Sequence, residues 1–266
     1  MNTPDLRKRL SPRRRTLLIC AVPLVALLAV VALAPLPFSL AQPGLTANVI
    51  GKSESKPVIS VSGTDVREKD NSHGRLMMTT IAATPPDASV DLSEVVGTWF
   101  RTDRAVMPTA AVYPVGETTK EVREHSDREM KESQDAAVKA ALRKLHISPG
   151  KVQVTLRLAD VGGPSAGLFF TLGIIDKIDG NLTGGRSIAG TGTIKANGDV
   201  GPVGGVTLKT KAAKRDGATV FLVPKAECGD AKALRPEGLR LVPVTDLDGA
   251  LDSLKALKDG RRVPSC

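Results

Sequence analysis

Gly162-Gly163-Pro164-Ser165-Ala166-Gly167, running into the apolar stretch Leu168 to Ile178, decides how this chain is read. Before it, Val152, Val154, Leu156 and Leu158 alternate with Gln153, Thr155 and Arg157, which predicts a strand with one buried face. After it comes a segment whose length and composition suit a buried helix. A serine in a glycine-rich turn from strand to helix matches the G-x-S-x-G nucleophile elbow. Gly163, Ala166 and Gly167 are small enough for a substrate backbone to approach Ser165. The free N–H groups at the start of the following helix can steady a developing oxyanion.

Working outward, Thr118 to His146 predicts an amphipathic helix. Met130, Ala137, Val138, Ala141, Leu142 and Leu145 recur at spacings of three, four and seven before Ser148-Pro149-Gly150 ends it. Downstream, Ile188 to Lys195 and Val200 to Val203 flank Asn197-Gly198, a hairpin signal of the type I′ kind, which needs positive φ at both central residues. A helix is expected from Thr207 to Arg215 and strands at Val220 to Val223 and Leu239 to Val242. A last helix, capped by Asp246, carries Leu247, Ala250, Leu251, Leu254 and Leu257. Upstream, Leu76 to Ala83 predicts a buried strand and Val106 to Val115 loop and edge structure, with Pro108 and Pro114 as breakers. Hairpins mixed with helices favour an α+β fold.

A serine nucleophile needs a base. His73, His125 and His146 all precede Ser165, so the serine, acid, histidine order of α/β-hydrolases is excluded. A histidine-first order using His125 or His146 stays formally open, although both lie in polar surroundings. A lysine serves instead if its ammonium form is disfavoured by burial and by a helix N-terminus. At about 100° per residue, Lys211, Lys214 and Arg215 share one stripe of the Thr207 to Arg215 helix, while Lys209 lies about 160° from Lys211. Lys209 therefore falls with Val206, Ala212 and Ala213 on the apolar face. The bland alternative is a lysine that extends to water.

The chain is 41% hydrophobic and 24% charged, as expected of a chain with a packed core, and only 3% aromatic. Trp99 and Tyr113 are single, which excludes a base-stacking platform. The net charge of +9 owes much to Arg7, Lys8, Arg9, Arg13, Arg14 and Arg15. Thr16 to Ala34 carries no charge, and a basic cluster before an apolar run of this length predicts a membrane anchor with the rest of the chain outside. Two alternatives stay open: a signal peptide cleaved near Ser39-Leu40-Ala41, and twin-arginine export through Arg14-Arg15. Cys228 and Cys266, on the exported side, are disulfide candidates; Cys20 reads as a small hydrophobe. No Cys or His pair has metal-ligand spacing, and neither a cofactor nor a metal is expected.

The motifs together resemble a known family. Gly163-Pro164-Ser165-Ala166-Gly167, then Ile188-Ala189-Gly190-Thr191-Gly192, then Pro202-Val203-Gly204-Gly205 followed by Lys209, are similar to the proteolytic domain of Lon proteases over about residues 118 to 258. Met130-Lys131-Glu132-Ser133 and Ala212-Ala213 fit the same pattern, and Val263-Pro264-Ser265-Cys266 with the N-terminal run resembles membrane-anchored bacterial PDZ-Lon proteins. The resemblance implies Ser165 as nucleophile, Lys209 as base, and Thr191 as the hydroxyl that orients the lysine. It departs from the pattern in three ways. No G-x-x-x-x-G-K-[ST] sequence is present, so ATP-independent action is expected. Gly162 stands where many relatives carry Asp. Only Ile147 to Gly150 join the long helix to the strand before the serine, where the anchored relatives have a PDZ domain.

The resulting expectation is a basic tail over 1–15, a transmembrane anchor or signal peptide over 16–38, a linker over 39–75 with one strand at Pro57-Val58-Ile59-Ser60-Val61, a Lon-like proteolytic domain over 76–260 and a tail over 261–266. The expected function is ATP-independent serine endopeptidase action on exported or cell-envelope proteins. Peptide or unfolded protein is the expected substrate, the membrane and a homo-oligomer the expected associations, and nucleic acid is not a partner. The alternative is a catalytically silent, anchored interaction module of the same fold.

Overall fold

The computed structural model describes residues 12–63, 66, 68–69, 74–113, 118–158 and 161–266. Arg7, Lys8, Arg9, His73 and Pro114 lie outside them. Helix α1 (Pro12–Leu33) leads to strand β1 (Phe38–Asn48), the short pair β2 (Lys52–Ser53) and β3 (Lys56–Pro57), β4 (Ile59–Gly63) and β5 (Arg75–Ala83). Helix α2 (Leu92–Trp99), β6 (Ala105–Pro108), α3 (Thr109–Val112), the long α4 (Thr119–Lys144) and β7 (Val152–Leu156) follow. The remainder comprises α5 (Gly167–Asp179), β8 (Ser187–Gly190), β9 (Thr193–Ile194), β10 (Val200–Gly201), α6 (Val206–Arg215), β11 (Val220–Pro224), α7 (Cys228–Ala233), β12 (Arg240–Val244) and α8 (Leu247–Lys258). The α+β expectation agrees with this mixture.

Six strands form the main sheet in the order β12-β11-β8-β5-β1-β6. The four from β12 to β5 run parallel, and β1 and β6 are antiparallel to their neighbours. Side chains of the parallel strands divide cleanly between two cores. Leu76, Met78, Ile188, Val220, Leu222 and Val242 point to one, together with α4, α5 and α8; Met77, Ala189, Phe221, Val223 and Leu241 point to the other, with α6 and α7. Burial on both faces explains why these strands read as continuous apolar runs. Helix α5 is buried from Gly167 to Lys177, and Phe169, Phe170 and Leu172 are wholly inaccessible. Each such side chain contributes about 1.5–3 kcal/mol.

Helix α4 begins at a capping box. The N–H of Glu121 donates to Thr118 Oγ1 at 3.3 Å, and that of Thr118 to Glu121 Oε2 at 2.8 Å. Asp246 caps α8 by accepting from Gly249 N–H at 2.7 Å.

Two local expectations are corrected. The predicted strand Ile188 to Lys195 breaks at Thr191-Gly192, so β8 joins the main sheet while β9 turns away to pair with β10. In the connecting hairpin only Gly198 has positive φ, at 99°, and its N–H donates to Lys195 O. This is a three-residue turn closed by a glycine, not a type I′ turn.

The region expected to be a linker is structural, and the one strand expected in it is present as β4. β1 lies inside the main sheet between β5 and β6, and β4 pairs along its whole length with β7. Val49, Val58, Ile59 and Val61 are buried in the core. Pro43 and Gly44 mask β1 in the sequence; the pairing with β5 slips between Pro43 and Thr46, where a bulge accommodates them.

The bounds of the expected anchor differ. The helix stops at Leu33, and Phe38 is already in β1, so the 16–38 span does not exist as one element. No helix among the described residues is long and apolar enough to cross a membrane. Helix α1 leaves Leu17, Ile19, Val22 and Val25 exposed.

Candidate active site

The serine loop is built between α4, the β8–β9 break and the start of α5. Gly163 sits at φ 83°, where a side chain would be strained, and its N–H donates to Ser126 O on α4 at 3.1 Å. Ser133, one helical stretch further along α4, donates its hydroxyl to Pro164 O at 3.0 Å. Pro164, Ser165 and Ala166 form a single 3₁₀ turn that feeds α5. At Gly167 a Cβ would come within 2.8 Å of Ile194 Cγ2 and of Ser133 Oγ, so packing alone demands glycine there.

The carbonyl of Ser165 is fixed twice, accepting from Gly192 N–H at 2.9 Å and from Thr191 Oγ1 at 3.1 Å. The interruption of β8 at Thr191 thus serves the site. Beyond the last sheet bond, the chain turns its next hydroxyl and N–H onto the serine loop. Two amides expected to meet an oxyanion are already engaged: Gly167 N–H donates to Pro164 O, and Leu168 N–H to Gly192 O. An oxyanion would have to be met by N–H groups upstream of Gly167.

Lys209 lies on the buried face of α6 and is 3% exposed, while Lys214 and Arg215 are in water. Its Nζ donates to Thr191 Oγ1 at 3.1 Å. Thr191, itself inaccessible, therefore bridges the lysine amine and the serine backbone by accepting one hydrogen bond and donating another. Burial pulls the Lys209 ammonium down from its ordinary 10.5 to about 8, and the negative charge of Glu227 acts weakly against that fall. Lys177, also buried, shows the alternative: its Nζ meets a carboxylate, Glu68, at 2.8 Å. Lys209 makes no ion pair among the described residues.

The two described histidines, His125 and His146, face solvent. His125 pairs with Glu129 at 3.5 Å on the exposed side of α4, and His146 is exposed at the end of that helix. Cys228 and Cys266 are joined by a disulfide with their Cα atoms 5.3 Å apart. No three His, Cys, Asp or Glu side chains among the described residues lie close enough to share a metal ion. Beside the serine loop opens a cavity of about 620 Å³, lined at Gly162 and by Ile81, Tyr113, Met130, Leu158 and Val161, with Arg123 and Asp127 at its polar side.

Sequence reasoning did not single out Ser126, Ser133 or Glu227. The first two hold the loop through backbone carbonyl and hydroxyl contacts; Ser133 lay within the matched Met130-Lys131-Glu132-Ser133 segment, the only signal available.

Comparison with known proteins agrees with this geometry. The model of the Lon protease (S16) C-terminal proteolytic domain matches residues 122–256, just over half of the chain. Lon protease of Chloroflexus aggregans is 38% identical over 92 residues, covering 33% of this chain and 11% of that protein. Lon protease 2 of Bacillus subtilis is 29% identical over 143 residues, 53% of this chain and 25% of its own length. The archaeal Lon protease of Halobacterium salinarum is 33% identical over 94 residues, 35% of this chain and 13% of that protein. The chain thus matches a quarter or less of each of these relatives. With its serine loop, its Thr191 bridge and its buried lysine all inside or beside the matched span, the chain belongs to the Lon protease (S16) C-terminal proteolytic domain family.

Proposed function

We propose that this chain is an ATP-independent serine endopeptidase in which Ser165 is the nucleophile and Lys209 its general base. The observation that carries this is Lys209 itself, a lysine buried without a counter-ion contact, hydrogen-bonded to the hydroxyl that also fixes the Ser165 carbonyl. A neutral amine is the form that accepts a proton, and a group titrating near neutrality balances availability against basicity. In the first half-reaction the Lys209 amine takes the proton of the Ser165 hydroxyl as Oγ attacks the peptide carbonyl carbon. The ammonium then returns a proton to the departing amine, leaving an acyl-enzyme on Ser165. In the second half, Lys209 takes a proton from water, which attacks the ester, and the acid product leaves as Ser165 is reprotonated.

These steps use no nucleotide. Extended peptide or unfolded protein is the substrate, with a side chain entering the cavity lined by Ile81, Met130 and Val161 and by the polar Arg123 and Asp127. The Cys228–Cys266 disulfide supports action in an oxidising compartment.

The test is cleavage of a fluorogenic unstructured peptide without ATP by the wild type, Ser165→Ala and Lys209→Ala. The proposal predicts turnover in the wild type alone. Absence of turnover in all three, with the wild type folded, would favour the silent interaction module.

A further inference from the structure

Glu227 closes the 3₁₀ turn Lys225–Glu227 between β11 and α7, directly before the disulfide-bonded Cys228. Its Oε1 accepts the N–H of Val203 at 3.1 Å. Val203, which like Cys228 and Cys266 packs against the core that includes Val206 and Ala213, opens the short turn that launches α6 and so sets where Lys209 sits. A second tie lies next to the first: Thr207, in the opening turn of α6, donates its hydroxyl to Asp230 O at 3.2 Å. The start of the lysine helix is thus gripped by the segment 227–230, which the disulfide holds to the C-terminal tail. The other carboxylate oxygen, Oε2, is buried and has no hydrogen-bond partner among the described residues. A buried oxygen without a partner is costly unless a charge lies nearby to use it.

We propose that Glu227 is a positioning residue for the Ser165–Lys209 pair: anchored on Val203 at the foot of α6, it holds the helix start and supplies negative charge when the lysine amine takes the serine proton. This rests on the assignment of Lys209 as base. The electrostatics run both ways, since Glu227 raises Lys209 against burial and Lys209 lowers Glu227 against burial. Other charges do not duplicate it. Strands β1, β8 and β11, packed on α6, carry no titratable side chain. On β5 only Arg75 does, and its charge acts on Asp216 at the far end of α6. On α7, Asp230 acts on Glu227, while Lys232 is exposed. Lys211, Lys214 and Arg215 belong to the other face of α6. At Gly162 the serine loop offers no carboxylate.

The experiment measures peptide cleavage against pH for the wild type, Glu227→Gln, Glu227→Asp and Lys209→Ala, with denaturation curves as a check of folding. Gln keeps the acceptor for Val203 and removes the charge. Its acid limb in kcat/KM is expected to move to lower pH by at least ~0.5, and its plateau kcat to fall about tenfold as the ammonium loses its counter-charge. Asp, which keeps the charge, retains the wild-type limb. A Gln variant with wild-type limb and kcat, beside an inactive Lys209→Ala, overturns the role of Glu227 alone. If Lys209→Ala stays active, the base assignment fails and this proposal with it. Should Gln not fold, Glu227→Ala decides: a limb moved to lower pH supports the role, and a limb at the wild-type pH overturns it.

Discussion

Replacing Lys209 with Met should destroy the peptidase and stabilise the fold near neutral pH. In the unfolded chain the lysine titrates at its ordinary 10.5, whereas in the folded protein it does so at about 8. Below pH 8 both states hold the proton, so the cost of burying the charge is complete. Between the two values the unfolded state binds more protons, and stability climbs with pH. Above 10.5 neither state is charged and the cost is gone. The gap corresponds to about 3 kcal/mol, at ~1.4 kcal/mol for each tenfold change in proton affinity. Met has a comparable unbranched stem and removes that cost, but it also removes the bond to Thr191, roughly 1 kcal/mol. The net expectation is a gain of about 2 kcal/mol near pH 6.5, or roughly 4–8 °C in Tm for a domain of this size. Urea unfolding at about pH 6.5 and about pH 10 tests this, because near pH 10 the advantage of Met should shrink to about zero. A Met variant that is less stable at the lower pH, or whose difference from wild type does not change with pH, would refute the account of Lys209 as a strained, buried base.

Peptide cleavage by the wild type should rise with pH through about 8, because the neutral amine is the active form; a profile flat from pH 6 to pH 9 contradicts it. Thr191→Val, which keeps the shape and removes the hydroxyl bridging Lys209 and the Ser165 carbonyl, should lower kcat/KM ~10–100-fold, while Thr191→Ser retains most activity. Gly167→Ala forces a methyl onto Ile194 and Ser133 and should cost about 1–3 kcal/mol of stability, read by chemical denaturation. Cys228→Ser opens a loop with a sequence separation of 38 and should cost up to about 4 kcal/mol; an unchanged denaturation midpoint would count against it.

What could be read from the sequence was local. Helix α4 announced itself through its repeating apolar positions, and α8 through Asp246. The buried phase of Lys209 followed from counting along α6, since a lysine opposite a stripe of Lys211, Lys214 and Arg215 has only the core to face. The long-range partners were not legible. β1 was hidden because polar Ser39 is buried in it while Leu45 is exposed, and because Pro43-Gly44 interrupts a strand whose pairing comes from β5 and β6 far along the chain. The split between β8 and β9 was missed for a related reason. Apolar alternation continues across Thr191-Gly192, and only the need to bind the Ser165 carbonyl turns the chain there. Glu227 gave no periodic or motif signal, because its role depends on Val203 being brought beside it by the packing of α7 on α6. The apolar N-terminal run reads as continuing to residue 38, whereas the helix ends at Leu33 and Phe38 opens β1.

Activation of Ser165 by Lys209 can be read by covalent labelling of the serine. After exposure to a fluorophosphonate, intact-mass and peptide analysis should find one adduct, on Ser165, in the wild type. The adduct should be lost in Ser165→Ala and nearly lost in Lys209→Ala, while Glu227→Gln still reacts. Labelling of Ser165 at the wild-type rate in Lys209→Ala, or an adduct that persists in Ser165→Ala, would contradict the account.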